Sequence, residues 1–93
     1  MTLLASKKHT EGDKRRWRVS YARWLDNTAT IDKIDVTSSS TTCTIVDPSV
    51  LGHEVIFFLQ DGVLGEALIV TLAMTDSFEN VKTDTISFYV VAP

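Results

Sequence analysis

Two neighbouring stretches near the C-terminal end alternate strictly in polarity, and they constrain the fold more than anything else in the chain. From Ala67 to Thr75, Leu68, Val70, Leu72 and Met74 share one face, with Ile69, Thr71, Ala73 and Thr75 on the other. From Thr83 to Val91, Ile86, Phe88 and Val90 share a face opposite Thr85, Ser87 and Tyr89. A period of two is the spacing of a strand with one face buried. Asp76 to Asn80 separates the two runs, so they are expected to form an antiparallel hairpin that builds most of one hydrophobic layer.

Upstream segments repeat the pattern. Trp17, Val19 and Tyr21 alternate with Arg16, Arg18 and Ser20 and predict a half-buried strand from Arg15. Thr30 to Ser38 predicts another strand. Ile31 and Ile34 are three residues apart rather than two, so a bulge at Asp32–Lys33 is expected to restore the phase. Thr42 to Val46 predicts a short strand stopped by Asp47–Pro48. Val55-Ile56-Phe57-Phe58-Leu59 predicts a central strand, and Gln60-Asp61-Gly62 after it reads as a hairpin turn. Ala22 to Thr28 interrupts the alternation. Asp26–Asn27 signals a turn there, and Trp24–Leu25 is expected to plug one end of the fold. Six or seven short strands at this spacing, in a chain of 93 residues, predict one all-β domain. The architecture expected is an immunoglobulin-like antiparallel β-sandwich. Residues 1–14 lack a sustained period and are read as a flexible or extended arm, leaving 15–93 as the sandwich.

Charge is unevenly placed. Residues 1–25 carry seven Lys or Arg against two acids, a net +5, while residues 26–93 carry two against ten, a net −8. Lys7, Lys8, Lys14, Arg15, Arg16 and Arg18 are therefore the candidate partner-binding residues, suited to an acidic protein surface. Lys14-Arg15-Arg16-Trp17-Arg18 also has the composition of a nucleic-acid contact, but the acidic body argues against a general DNA binder, whose whole face would be basic. Arg16 and Arg18 are equally accounted for as the wet face of an edge strand, where positive charge discourages unwanted pairing.

Chemistry-bearing motifs are scarce. The single cysteine, Cys43, excludes an internal disulfide. A Cys43–His53 dyad is weighed against a buried strand thiol and a solvated loop imidazole, and the second reading is favoured. His9 falls in the arm. Asp32 with Asp35, or Asp26 with Asp61, could meet at a loop end and hold Ca²⁺, but scattered acids on a β domain are ordinarily a solvated face. No metal, cofactor or catalytic residue is expected, and the chain is read as a binding or assembly module rather than an enzyme. The apolar run at Met1 to Ser6 is short for a signal peptide, no stretch reaches membrane-span length, and a soluble protein made in a cytosol is expected.

Tyr21-Ala22-Arg23-Trp24-Leu25, followed by Thr30-Ile31 and a Thr/Ser-rich strand, resembles a family of small tailed-bacteriophage structural proteins with a Trp-Leu turn. The structural motif comprises Trp17, Tyr21, Trp24, Leu25 and Ile31, and the hairpin from Leu68 to Val91 completes the likeness. Asp26-Asn27-Thr28-Ala29 stands where that family is usually richer in glycine. The resemblance implies an immunoglobulin-like domain in the virion, without catalysis, bound to the major capsid protein or to tail proteins and self-associating. Capsid decoration, with the basic segment across the outer shell, is the leading expectation. A tail, tail-fibre or collar accessory is the alternative, and a nucleic-acid-associated virion protein comes third.

Overall fold

The computed structural model describes residues 2–26 and 28–93, with side chains from Ala5 onward. Seven strands are present: β1 (Thr2–Thr10), β2 (Lys14–Ser20), β3 (Ile31–Ser38), β4 (Cys43–Leu51), β5 (Glu54–Asp61), β6 (Ala67–Asp76) and β7 (Val81–Val91). They form a four-stranded sheet in the order β1-β7-β6-β3 and a three-stranded sheet in the order β2-β5-β4. The result is an all-β, immunoglobulin-like sandwich, and no helix occurs among the described residues.

The expected alternation fills the space between the sheets. Leu68, Val70, Leu72 and Met74 of β6 meet Val55, Phe57 and Leu59 of β5, with Ile86, Phe88 and Val90 of β7 beside them. The anticipated bulge in β3 lies between Ile31 and Lys33. Strand β5 is central in its sheet, as its density of apolar residues requires.

Several expectations are corrected. Residues 2–10, read as part of an arm, form the outer strand of the larger sheet and run parallel to β7, from Thr2 opposite Asp84 to Thr10 opposite Val91. This pairing makes the sandwich mixed rather than wholly antiparallel. Strand β4 does not stop at Asp47–Pro48 but continues to Leu51. It is an edge strand, so a proline without an N–H is tolerated, and a bulge between Val46 and Ser49 absorbs the extra residue. Asp47 takes φ 49° there, a left-handed conformation that aspartate accepts better than most residues. Gln60-Asp61-Gly62 is not a hairpin, since β5 and β6 lie in different sheets. Asp61 and Gly62, at φ 68° and 108°, carry the chain across. A Cβ at Gly62 would stand 3.1 Å from a Val90 methyl, so both space and backbone favour glycine there.

Candidate functional site

The cationic residues gather along one flank. Strands β1 and β2 are the edges of different sheets, and the Glu11-Gly12-Asp13 turn joins them on the same side of the sandwich. Lys7 and Lys8 project from β1, and Lys14, Arg15, Arg16 and Arg18 from β2, all exposed. The other flank, built by β3 and β4, presents exposed Asp32, Asp35 and Asp47.

Strand β2 pairs with β5 from Lys14 opposite Gln60 to Ser20 opposite Glu54. Alternation turns Trp17 and Val19 inward and Lys14, Arg16 and Arg18 to the outer face. Trp17 anchors the strand by an edge-to-face contact with Phe88 across the core, with centroids 5.1 Å apart. The cations cover apolar surface with their stems and keep their charges wet. The Lys14 ammonium lies 4.9 Å from the Phe58 ring centre and the Arg15 guanidinium 4.7 Å from that of Trp17. Arg18 Nε approaches Glu54 Oε2 at 3.8 Å, a loose and exposed ion pair. Among the described residues Arg16 has no acidic partner.

A second surface lies at one end of the molecule. The loop between β2 and β3, the β4–β5 hairpin tip and the β6–β7 turn meet there, tied by Tyr21 N–H to the His53 carbonyl (2.8 Å) and Ser77 N–H to the Thr30 carbonyl (2.8 Å). This end exposes Trp24, Leu51, Phe78 and Val81, four large apolar side chains. Of the expected Trp24–Leu25 plug, only Leu25 is buried. Trp24 is 37% exposed, with its ring centre 6.0 Å from the Lys82 ammonium. Tyr21 is buried and Ile31 packs at the core margin, while Asn27 lies outside the described residues.

The candidate dyad is not assembled. Cys43 is fully buried at the start of β4, whereas His53 is exposed at the tip beyond its other end. Burial, then the charges of Glu66 and Asp61, push the Cys43 thiol up to about 11, which keeps it protonated at neutral pH. Asp26 and Asp61 lie at opposite ends of the sandwich. Among the described residues no three His, Cys, Asp or Glu side chains gather in a metal-binding group.

Four polar residues are buried, His9, Asp76, Asp84 and Thr85, and the sequence reading marked none of them for the interior. His9 is 0% exposed, and its Nε2 lies 3.0 Å from the Asp61 carbonyl, which docks β1 onto the other sheet. The signal was its spacing of four from Ala5, which also packs against the core. Asp84, also 0% exposed, continues the inward face of Ile86, Phe88 and Val90 and is paired with Lys82 Nζ at 3.2 Å. Burial, then the negative charge of nearby Asp84, hold the Tyr21 phenol far above its ordinary range.

Comparison with known families places this all-β module in the bacteriophage virion. Residues 9–89 match the family described as "Podophage GP4 fiber-tail adaptor protein gp77", and the chain belongs to that family. This favours the tail-associated alternative over capsid decoration. No curated protein matches the sequence. Among solved structures, a 2,6-sialyltransferase of Vibrionaceae Photobacterium sp. JT-ISH-224, in a ternary complex with the donor product CMP and the acceptor substrate lactose, aligns with a TM-score of 0.59 and 11% identity. The alignment covers 100% of this chain and 18% of that one, a likeness of fold alone.

Proposed function

We propose that this protein is a non-catalytic adaptor of the bacteriophage tail, holding a fibre to the tail apparatus. The family match over residues 9–89 carries the reading. The two unlike surfaces support it, since an adaptor has to hold two partners. The basic flank with Lys7, Lys8, Lys14, Arg15, Arg16 and Arg18 suits an acidic protein face, and complementary charge gives fast, oriented docking. The apolar end with Trp24, Leu51, Phe78 and Val81 suits a second contact that buries hydrophobic surface. Neither surface calls for a cofactor.

Particles made without this protein test the reading. They should keep filled capsids and tails but lack fibres by electron microscopy, and the protein should be present in wild-type particles at tail rather than shell copy number. Fibres retained on particles proved free of the protein would defeat the adaptor role. A copy number in the hundreds would restore capsid decoration. Particles carrying Cys43→Ala and His53→Ala together should be as infective as wild type, provided the protein folds.

A further inference from the structure

A sandwich that is not closed into a barrel has four edge strands, and each is a template for pairing with another chain unless it is blunted. Here the edges are β1, β3, β2 and β4. Three have broken register: β1 between Leu3 and Ala5, β3 between Ile31 and Lys33, and β4 between Val46 and Ser49, where Pro48 also removes a donor. Strand β2 alone keeps an unbroken register, over all seven residues from Lys14 to Ser20. It presents a straight edge about 23 Å long.

The direction of its free main-chain groups follows from the bonds at its two ends. Asp61 N–H donates to the Asp13 carbonyl at 3.0 Å, and Tyr21 N–H donates to the His53 carbonyl at 2.8 Å. In an antiparallel ladder, bonded and non-bonded residues alternate. Odd-numbered residues of this segment therefore bond to β5. Lys14, Arg16, Arg18 and Ser20 turn their N–H and C=O groups outward, off the edge. Three of these four residues carry the cations of the outer face. Backbone pairing capacity and positive charge thus coincide, residue by residue.

We infer that the free edge of β2 accepts an extended acidic segment of a partner protein as a fourth strand of the smaller sheet. Main-chain bonds to Lys14, Arg16, Arg18 and Ser20 would supply binding, and carboxylates at alternate positions of the segment would meet Lys14, Arg16 and Arg18. Charge complementarity selects this occupant. A second copy of β2 would bring four more cations against the first four. The edges β3 and β4 of a second copy carry aspartates but are bulged. The inference gives the chemistry of one partner in the fibre–tail reading and rests on that reading for the partner's identity.

The test uses the full, isotopically labelled chain and a capped nine-residue peptide alternating Glu and Thr. Binding should protect the Arg16, Arg18 and Ser20 amides from hydrogen exchange at least tenfold and leave Arg15, Trp17 and Val19 unchanged. Affinity should fall at least tenfold for the double variant Arg16→Glu, Arg18→Glu, and equally when the peptide is N-methylated on alternate residues, a control that needs no protein variant. No binding, binding without the alternating protection, or equal binding of a Lys–Thr peptide or of the N-methylated peptide would each overturn the inference. Displacement of the peptide by single-stranded DNA that itself causes the same tenfold charge dependence would reassign the flank to nucleic acid. The same amides protected in a peptide-free dimer would assign the edge to a second copy. None of these outcomes depends on whether fibres are lost from particles, so the inference and the adaptor role fail separately.

Discussion

Asp84 is a carboxylate placed where a strand of this kind ordinarily carries an aliphatic residue. Its only ion-pair partner among the described residues is Lys82, and the Tyr21 phenol faces it. Removing the partner leaves a buried charge uncompensated, so Lys82→Met should destabilise the fold by about 3 kcal/mol. Replacing Asp84 by Leu in the same chain should recover most of that loss, read as the shift in urea midpoint. The phenol and the Cys43 thiol both rise on burial, so the folded state favours their neutral forms. Their stabilisation is complete below the unfolded values and is lost as pH rises toward the folded ones. Stability measured against pH should stay level up to about pH 9, near the ordinary thiol value, and then fall. Cys43→Ala should move the onset of the fall up toward pH 10, near the ordinary phenol value. On the acid side, Val63 N–H and the Ser40 and Thr42 hydroxyls hold the Glu66 carboxyl below its usual range. That stabilisation is present above the ordinary carboxyl range and is lost as pH falls through the depressed folded value.

At the level of elements, legibility follows how each strand is buried. Strands β6 and β7 face the core on one side only, so their alternation is visible in the sequence and predicts the hairpin that forms. Strand β1 hides because Lys7 lies on the inward side of an edge, where it can still reach water, and because its buried partner is a histidine rather than a hydrophobe. Its pairing with β7 joins residues some eighty positions apart, which no local pattern reports. Strand β4 hides because the bulge at Asp47–Pro48 resembles a stop. The same logic covers the candidate site. The positions of Arg16 and Arg18 on an edge could be read from alternation, but the free backbone groups beside them appear only once β5 and the unpaired side are known. Two predictions belong here. Deleting residues 1–10 removes His9 and uncovers the flank of Ile86, Phe88 and Val90, so stability should drop by several kcal/mol in urea melts. Asp47→Gly should leave the bulge intact and be neutral or slightly stabilising, whereas Asp47→Val should cost about 1–2 kcal/mol through the left-handed backbone.

For the whole molecule, the separation of charge gives the sandwich a basic flank and an acidic remainder. Association with an acidic partner should slow as ionic strength rises from 0.05 to about 0.5 M, because the screening length shrinks through the ~10 Å range, while dissociation changes little. Stopped-flow association rates read this directly. The parallel pairing of β1 with β7 has a mechanical meaning. Residue 2 and residue 91 sit at opposite ends of two neighbouring strands that run the same way. A pull on those two points loads the hydrogen bonds between the strands side by side, in shear, so that they resist together. A pull that opens the β6–β7 turn from its ends would instead break bonds one after another. Stretched through its first and last strands, this small domain should therefore hold as a clamp, and single-molecule pulling along that axis should need a greater force than unzipping the hairpin.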